Sequence, residues 1–336
     1  MNHSYRPAGG RRIFFTILCR KLSTVILCIV LSSLVITGCS KKSSNKEKTG
    51  TVSESGQEQK KASGSTGKKE NQSTGDNTAS DMDLEAVFFD VGKGDCILFT
   101  SGDSHVLIDA GYEETSDDII KKLKEKNVDS LDAMIITHYD KDHVGGAAEI
   151  ASAIPVSMFY LPDYNGDIDK CGDLVTLIDS ESMPCERVSS AREFTAGSSD
   201  FKINPALVAY NPKEKNDNDA SLIVEVSCGE DQWLLPGDIE KDAIDLWLRD
   251  REQEYNVLKY PHHGKKEKNY SEFIDNVSPE IAVITDSDED QASKKVLKKL
   301  DEDQVETYRS SVDGTITIKG NGTGQFDIST EKLSGL

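Results

Sequence analysis

Several things are scarce in this 336-residue chain, and each scarcity closes off a class of protein. Basic residues are outnumbered: 39 Lys and Arg face 59 Asp and Glu, a net charge of −20. That excludes a generic nucleic-acid coat, which works by neutralising phosphates; a polyanion has to be held locally, by a metal or a small cationic patch. Seven cysteines are too few for a disulfide scaffold, and the length supports a core that needs no such staples. Only one long apolar run is present, so the chain cannot build a multi-helix membrane channel by itself. No internal repeat is visible.

What is present begins with an address. Residues 1–21 carry Arg6, Arg11, Arg12, Arg20 and Lys21 and no acid, and Leu22 to Ser40 then run without a charge. This is the n-region and h-region grammar of a secretory signal. The run ends in Val35-Ile36-Thr37-Gly38-Cys39, which resembles a bacterial lipobox. The resemblance implies a signal peptide over 1–38, cleavage before Cys39, and a lipid on its thiol holding the chain at the extracytoplasmic face of a bacterial cell membrane. An uncleaved spanning anchor is the alternative, since the run is just long enough. Residues 39–80 read as a disordered linker: of the 41 positions from 40 to 80, 19 are Ser, Thr or Gly and eight are Lys, too little apolar surface to offset ordering entropy.

Residues 81–336 are then one domain, with 26 basic against 54 acidic residues and a net charge of −28. Short β-branched and aromatic runs at Leu84–Val91, Cys96–Thr100, His105–Asp109, Asp132–Thr137, Met158–Leu161 and Ile203–Tyr210 read as strands. So do Ser221–Ser227 and Gln232–Leu235, paired as a hairpin, and Asn256–Tyr260, Ile281–Thr285 and a closing Thr315–Lys319. Helical spacing marks Ser116–Lys126, a segment after Gly145-Gly146, Ile239–Asp250 and Gln291–Leu300. Strand pairs interleaved with helices predict a layered α/β domain. Of its four cysteines, Cys96 and Cys228 lie in apolar runs and read as core, while Cys171 and Cys185 flank a helical stretch and are free to bridge.

The densest chemistry is Thr137-His138-Tyr139-Asp140-Lys141-Asp142-His143-Val144-Gly145-Gly146. Two imidazoles and two carboxylates fall within six residues directly after an apolar strand, where α/β sheets present reactive groups. His and Asp are leading ligands for borderline and hard divalent ions. Divergent side chains of one turn suit two metals sharing a loop.

This loop resembles that of the metallo-β-lactamase superfamily, His-x-His-x-Asp-His, with Asp140 standing at the second His. With Phe89-Asp90-Val91-Gly92-Lys93-Gly94-Asp95 upstream, it is similar to the soluble hydrolase domain of ComEC-type competence proteins. Val106–Gly111, Asn218–Leu222, Leu234–Asp238 and Leu258–Gly264 follow in the order of that family. The resemblance implies an αββα sandwich with two divalent ions, zinc or manganese, at one edge, and no organic cofactor. His138 and Asp140 would bind the first ion, Asp142, His143 and His263 the second, with Asp238 between them. Asp142 would orient a water whose pKa the two ions lower. Asn218, Asp219 or Ser221 would complete the first site or touch substrate. His262 would donate a proton or meet phosphate, and Asp95 and Asp109 would support the loops. Lys93 is a turn residue close enough to meet a phosphate. Oxygen-rich ligation shifts the preference from zinc towards manganese or magnesium.

Three functions stay open at this level. The leading one is a membrane-tethered metallohydrolase of phosphodiesters, with single-stranded DNA a candidate substrate. The second is a phosphodiesterase of a cell-surface polymer or choline-type ester, which better suits an acidic domain. The third is a binding lipoprotein with a degenerate site.

Overall fold

The computed structural model describes residues 82–250 and 253–332; the signal run, Cys39 and the linker lie outside the described residues. The first half opens with an antiparallel meander, β1 (Leu84–Phe88), β2 (Ile97–Ser101) and β3 (Ser104–Ile108). Three parallel strands continue the sheet: β4 (Ala133–Ile135), β5 (Phe159–Pro162) and β6 (Cys185–Val188). Helices α1 (Ser116–Glu125), α2 (Lys141–Val144), α3 (Ala147–Ala153) and α4 (Ile168–Glu181) make the crossovers. In α1 the spacing of Ile119 and Leu123 puts both on the buried side.

The second half follows the same plan. After an edge strand β7 (Arg192–Ala196), an antiparallel meander of β8 (Ser199–Asn204), β9 (Ile223–Cys228) and β10 (Asp231–Leu235) leads into three parallel strands. These are β11 (Val257–Lys259), β12 (Ile281–Ile284) and β13 (Glu306–Arg309). Their helices are α5 (Lys241–Asp250), α6 (Tyr270–Val277) and α7 (Lys294–Glu302). Strands β14 (Ile316–Gly320) and β15 (Phe326–Thr330) then return to the first sheet beside β1. The strand orders are β15-β14-β1-β2-β3-β4-β5-β6 and β13-β12-β11-β10-β9-β8-β7. A repeat that leaves no trace in the sequence is therefore plain in the topology.

Period-two alternation divides each central strand between two apolar layers. In β1, Leu84, Ala86 and Phe88 face the layer between the sheets, while Val87 faces the helices of its own half. Between the sheets Phe99 meets Phe201 and Trp233 edge-on, with ring centroids 5.7 and 5.5 Å apart. Outer layers pack Leu98, Leu107 and Met134 under α1 and α3, and Leu234, Leu258 and Ala282 under α5 to α7. The result is the expected four-layer αββα sandwich. Among the described residues no helix is long and apolar enough to cross a membrane.

Some sequence expectations shift. The strand read at Ile203–Tyr210 is Ser199–Asn204, because Pro205 has no N–H to extend the ladder. The chain closes on β15 rather than at Lys319. Cys171 lies inside α4 rather than flanking it, while Cys185 starts β6 and is exposed; both are free thiols, as are the buried Cys96 and Cys228. Truncating Phe99 to Ala in the middle layer is expected to destabilise the domain by about 3–5 kcal/mol, read as a fall in the denaturation midpoint with an unchanged slope.

Candidate metal centre

Both halves end their meanders and their first parallel strands at the same edge, so the loops that follow those strands meet there. The loop after β1 is stitched to the histidine turn by Asp95 N, which donates to Asp142 O at 2.9 Å, and to the loop after β3 by Gly111 N, which donates to Asp95 O at 2.7 Å. Gly94 fits because a Cβ there would lie 2.7 Å from the Asp142 carbonyl oxygen. At the opposite side Gly237 has φ +62°, and a Cβ would lie 2.8 Å from Ser221 Cβ. After β11, His262 and His263 adopt consecutive left-handed conformations (φ 49° and 51°), a strain of about 1–3 kcal/mol each that splays two adjacent imidazoles apart.

Three imidazoles are aimed at one point by what holds their Nδ1 atoms. Asp109, fully buried, accepts from Thr137 N at 2.8 Å, Thr137 Oγ1 at 2.7 Å and His143 Nδ1 at 2.7 Å. Having donated its proton to Asp109, the Thr137 hydroxyl accepts from His138 Nδ1 at 3.1 Å. Thr285 repeats this for His263: its hydroxyl donates to Asp95 Oδ1 at 2.6 Å and accepts from His263 Nδ1 at 3.1 Å. Each Nε2 is thereby left facing inward. His143 Nε2 and His263 Nε2 are 3.3 Å apart, and Asp238 Oδ2 lies 3.3 and 2.9 Å from them. Asp142 Oδ2 is 3.4 Å from His263 Nε2. His138 Nε2 is buried without a hydrogen bond.

Burial and charge pull these groups in opposite directions. Desolvation alone would keep His143 and His263 neutral, but Asp238 and, at His143, Asp109 and Asp95 raise their pKa values above the usual imidazole range. His138 has burial and the neighbouring His143 against its charged form and is pushed down to about 4. Against desolvation, His263 and Lys259 hold Asp238 well below the usual carboxylate range, and Asp142 is likewise lowered by its hydrogen bond with His263.

The sequence candidates divide accordingly. His138, His143 and Asp238 offer ligand atoms within 4.8 Å of one another, as do Asp142, His143 and His263. Asp140 is not drawn into either set; its Oδ2 is 3.9 Å from His138 Nε2, and Lys170 binds its other oxygen. Asn218, Asp219 and Ser221 do not reach the cluster. Asp219 accepts from Glu240 N and Ala243 N at the start of α5, Ser221 Oγ accepts from Asp238 N at 3.3 Å, and Asn218 contacts Glu240 and His262. His262 turns the same way, with Nδ1 3.1 Å from Glu240, and burial pushes its pKa down to about 4, which leaves it neutral at pH 7. Lys93 is no free turn residue: it lies 3.4 Å from Asp142 and 4.0 Å from Asp290. Thr137, Thr285, Lys170 and Lys259 carried no assigned role in the sequence. Lys259 had a signal, a lone charge in the apolar run Val257-Leu258-Lys259-Tyr260; Lys170 had none.

The sequence model of the metallo-beta-lactamase superfamily matches residues 89–173, the stretch that carries Asp95, Asp109 and the histidine turn. The chain carries a metallo-beta-lactamase superfamily domain. The superfamily match suggests a metal-dependent hydrolase. It is 26% identical to ComE operon protein 3 of Bacillus subtilis over 73% of this chain and 34% of that protein. It is 25% identical to Recombination protein 2 of Haemophilus influenzae over 58% of this chain and 23% of that protein. The chain thus spans about a third or less of these relatives. Among solved structures, the metallo-beta-lactamase fold protein YhfI from Bacillus subtilis aligns over 70% of this chain and all of its own, with 14% identity and a TM-score of 0.48.

The donor set fits a divalent ion: a buried imidazole nitrogen without a partner, two more beside it, and carboxylates that are ionised there. Binding must displace the protons that the carboxylates hold on His143 and His263. Zinc added to metal-free protein is therefore expected to release protons, read by calorimetry in buffers of different ionisation enthalpy, with affinity rising as pH rises. Equal heats in all buffers would show that the two imidazoles are already neutral.

Proposed function

We propose that this chain is a metal-dependent phosphodiesterase, anchored through a lipid on Cys39 at the extracytoplasmic face of a bacterial membrane. The observation that carries the catalytic reading is the convergence of His138, His143 and His263 Nε2 on Asp238 Oδ2. His138, His143 and Asp238 would hold one ion and Asp142, His143 or Asp238, and His263 a second, zinc or manganese. Two such ions supply a nucleophile at neutral pH and positive charge for both the attacking and leaving oxygens of a diester. Asp142, directly before His143 and with its side chain 13% exposed, is the group that orients the attacking water.

The phosphodiester reading is supported by Lys93 and Lys170. Their side chains are 22% and 28% exposed, and they flank the cluster at Asp142 and at Asp140 in a domain of net charge −28. Each can leave its carboxylate for a phosphate oxygen, since partly exposed ion pairs contribute little. The competence relatives favour DNA as substrate. The acidic surface favours a surface-polymer or small diester instead.

The test is hydrolysis by the full chain, with manganese or zinc, of labelled single-stranded DNA and of a bis-aryl phosphodiester. Asp142→Asn is expected to lower kcat by at least about a hundredfold. Lys170→Ala is expected to raise KM by about tenfold, the loss of one charge-assisted contact. Cleavage of DNA supports the nuclease form, and turnover of the aryl diester alone supports the polymer or small-ester form. Wild type and Asp142→Asn equally inert on both would return the chain to a binding role.

A further inference from the structure

Lys259 closes β11 with its side chain fully buried, among the residues of the metal centre rather than at the rim. Its ammonium meets three acceptors, matching its three N–H donors. Nζ donates to Asp238 Oδ1 at 3.1 Å and to Gly237 O at 3.3 Å, and it is bound closely by Asp95 Oδ2. Against the desolvation of full burial, Asp95 and Asp238 hold it in the charged form. Nothing in stability alone requires this: a buried ion pair is often no better than well-packed apolar residues of the same volume.

What the ammonium touches gives it a direction. Asp238 has two oxygens. Lys259 takes Oδ1, and only Oδ2 is left between His143 Nε2 and His263 Nε2. Asp95 also has two. Lys259 takes Oδ2, and Oδ1 accepts from Thr285, whose hydroxyl fixes His263. We propose that Lys259 is a positioning residue of the metal centre, whose buried ammonium restricts Asp238 to one inward oxygen and couples that carboxylate to the support of His263 through Asp95. The inference rests on the reading of this cluster as a metal centre. It adds a fixed cation to a site otherwise built from carboxylates and imidazoles, and it explains why a lysine interrupts an apolar strand.

Lys259→Met alone leaves Asp95 buried without its counter-charge, so the informative variant is Lys259→Met/Asp95→Asn, which removes that pair together while Asp238 keeps the two imidazoles beside it. The full chain is stripped of metal and titrated with cobalt(II), following the visible absorption of the bound ion and its loss to a competing chelator. The thermal midpoint of the metal-free protein is measured alongside. The double variant is expected to melt as a folded protein, to lose cobalt affinity on the order of ten- to hundredfold, and to show a changed absorption band, since Asp238 can turn its second oxygen inward. A folded double variant with wild-type affinity and band would reduce Lys259 to a counter-ion for Asp95 and overturn the proposal. If the double variant does not fold, the wild type decides. A buried ammonium exchanges its protons slowly, so its N–H proton resonance is expected to be observable while those of exposed lysines merge with water. A shift of that resonance on zinc loading supports the coupling, and an unmoved resonance overturns it. Wild type that binds no cobalt at all would fall against the metal reading itself, and this inference with it.

Discussion

One buried carboxylate organises the centre. Asp109 stands at the end of β3 in a left-handed backbone conformation (φ 56°), and its oxygens accept from Thr137 N, Thr137 Oγ1 and His143 Nδ1. At zero exposure these groups have no water to turn to, so leaving any of them unmade costs about 1–3 kcal/mol. The bonds therefore tie the strand-end loop of β3 to the histidine turn after β4. They also decide tautomers. A threonine that donates to Asp109 has only a lone pair to offer His138, and an imidazole that donates through Nδ1 has only Nε2 to offer a ligand. A second Asp–Thr–His chain crosses between the halves, from Asp95 in the first through Thr285 to His263 in the second. Thr137 lies just beyond β4 and Thr285 just beyond β12, so each relay grows from a parallel strand's carboxyl end.

How much of this was legible in the sequence follows from burial. The central strands announced themselves, because residues packed on both faces read as apolar runs: Ala133–Ile135 and Ile281–Ile284 are buried at every position. The four strands that went unread, β6, β7, β13 and β15, are the four sheet edges. Edges are half-exposed, and their sequences (Cys-Glu-Arg-Val, Arg-Glu-Phe-Thr-Ala, Glu-Thr-Tyr-Arg, Phe-Asp-Ile-Ser-Thr) carry the charges and hydroxyls that discourage further pairing. The same features that protect an edge hide it from a search for apolar alternation. The duplicated plan of the two halves was invisible for a related reason. It is kept by connectivity and by layer position, for which many apolar residues serve equally.

The cluster itself divides along a similar line. His138, Asp142 and His143 lie in one short turn, and local density of ligands was enough to single them out. Lys259 was a different case. Its meaning lies in Asp95, which is brought to it only when the two sheets pack face to face, and in Asp238, which reaches it through the parallel pairing of β10 with β11. Asn218, Asp219 and Ser221 show the converse. The family resemblance implied that they complete the first site or touch substrate; their side chains hold the 236–243 segment by its backbone N–H groups or by Glu240. A polar residue in a conspicuous pattern and a polar residue at the reacting centre differ only in where the side chain points, which a single sequence does not record.

Burial also gives one pairing chemistry two opposite uses here. Lys259 is sealed between Asp95 and Asp238, where separating the charges would strand one of them in a medium that cannot solvate it. It is fixed for that reason. Lys93 with Asp142 and Lys170 with Asp140 are the same kinds of group at the rim, with water at hand to replace either partner. Such pairs are worth about 0–1 kcal/mol, so an incoming anion competes with the carboxylate on nearly equal terms. Asp140 fits this division. Standing where the family loop has a histidine, it adds a negative charge at the rim, and Lys170 answers it within reach of the centre. The pair thus gives a strongly acidic domain a local cation beside its cluster of ligands.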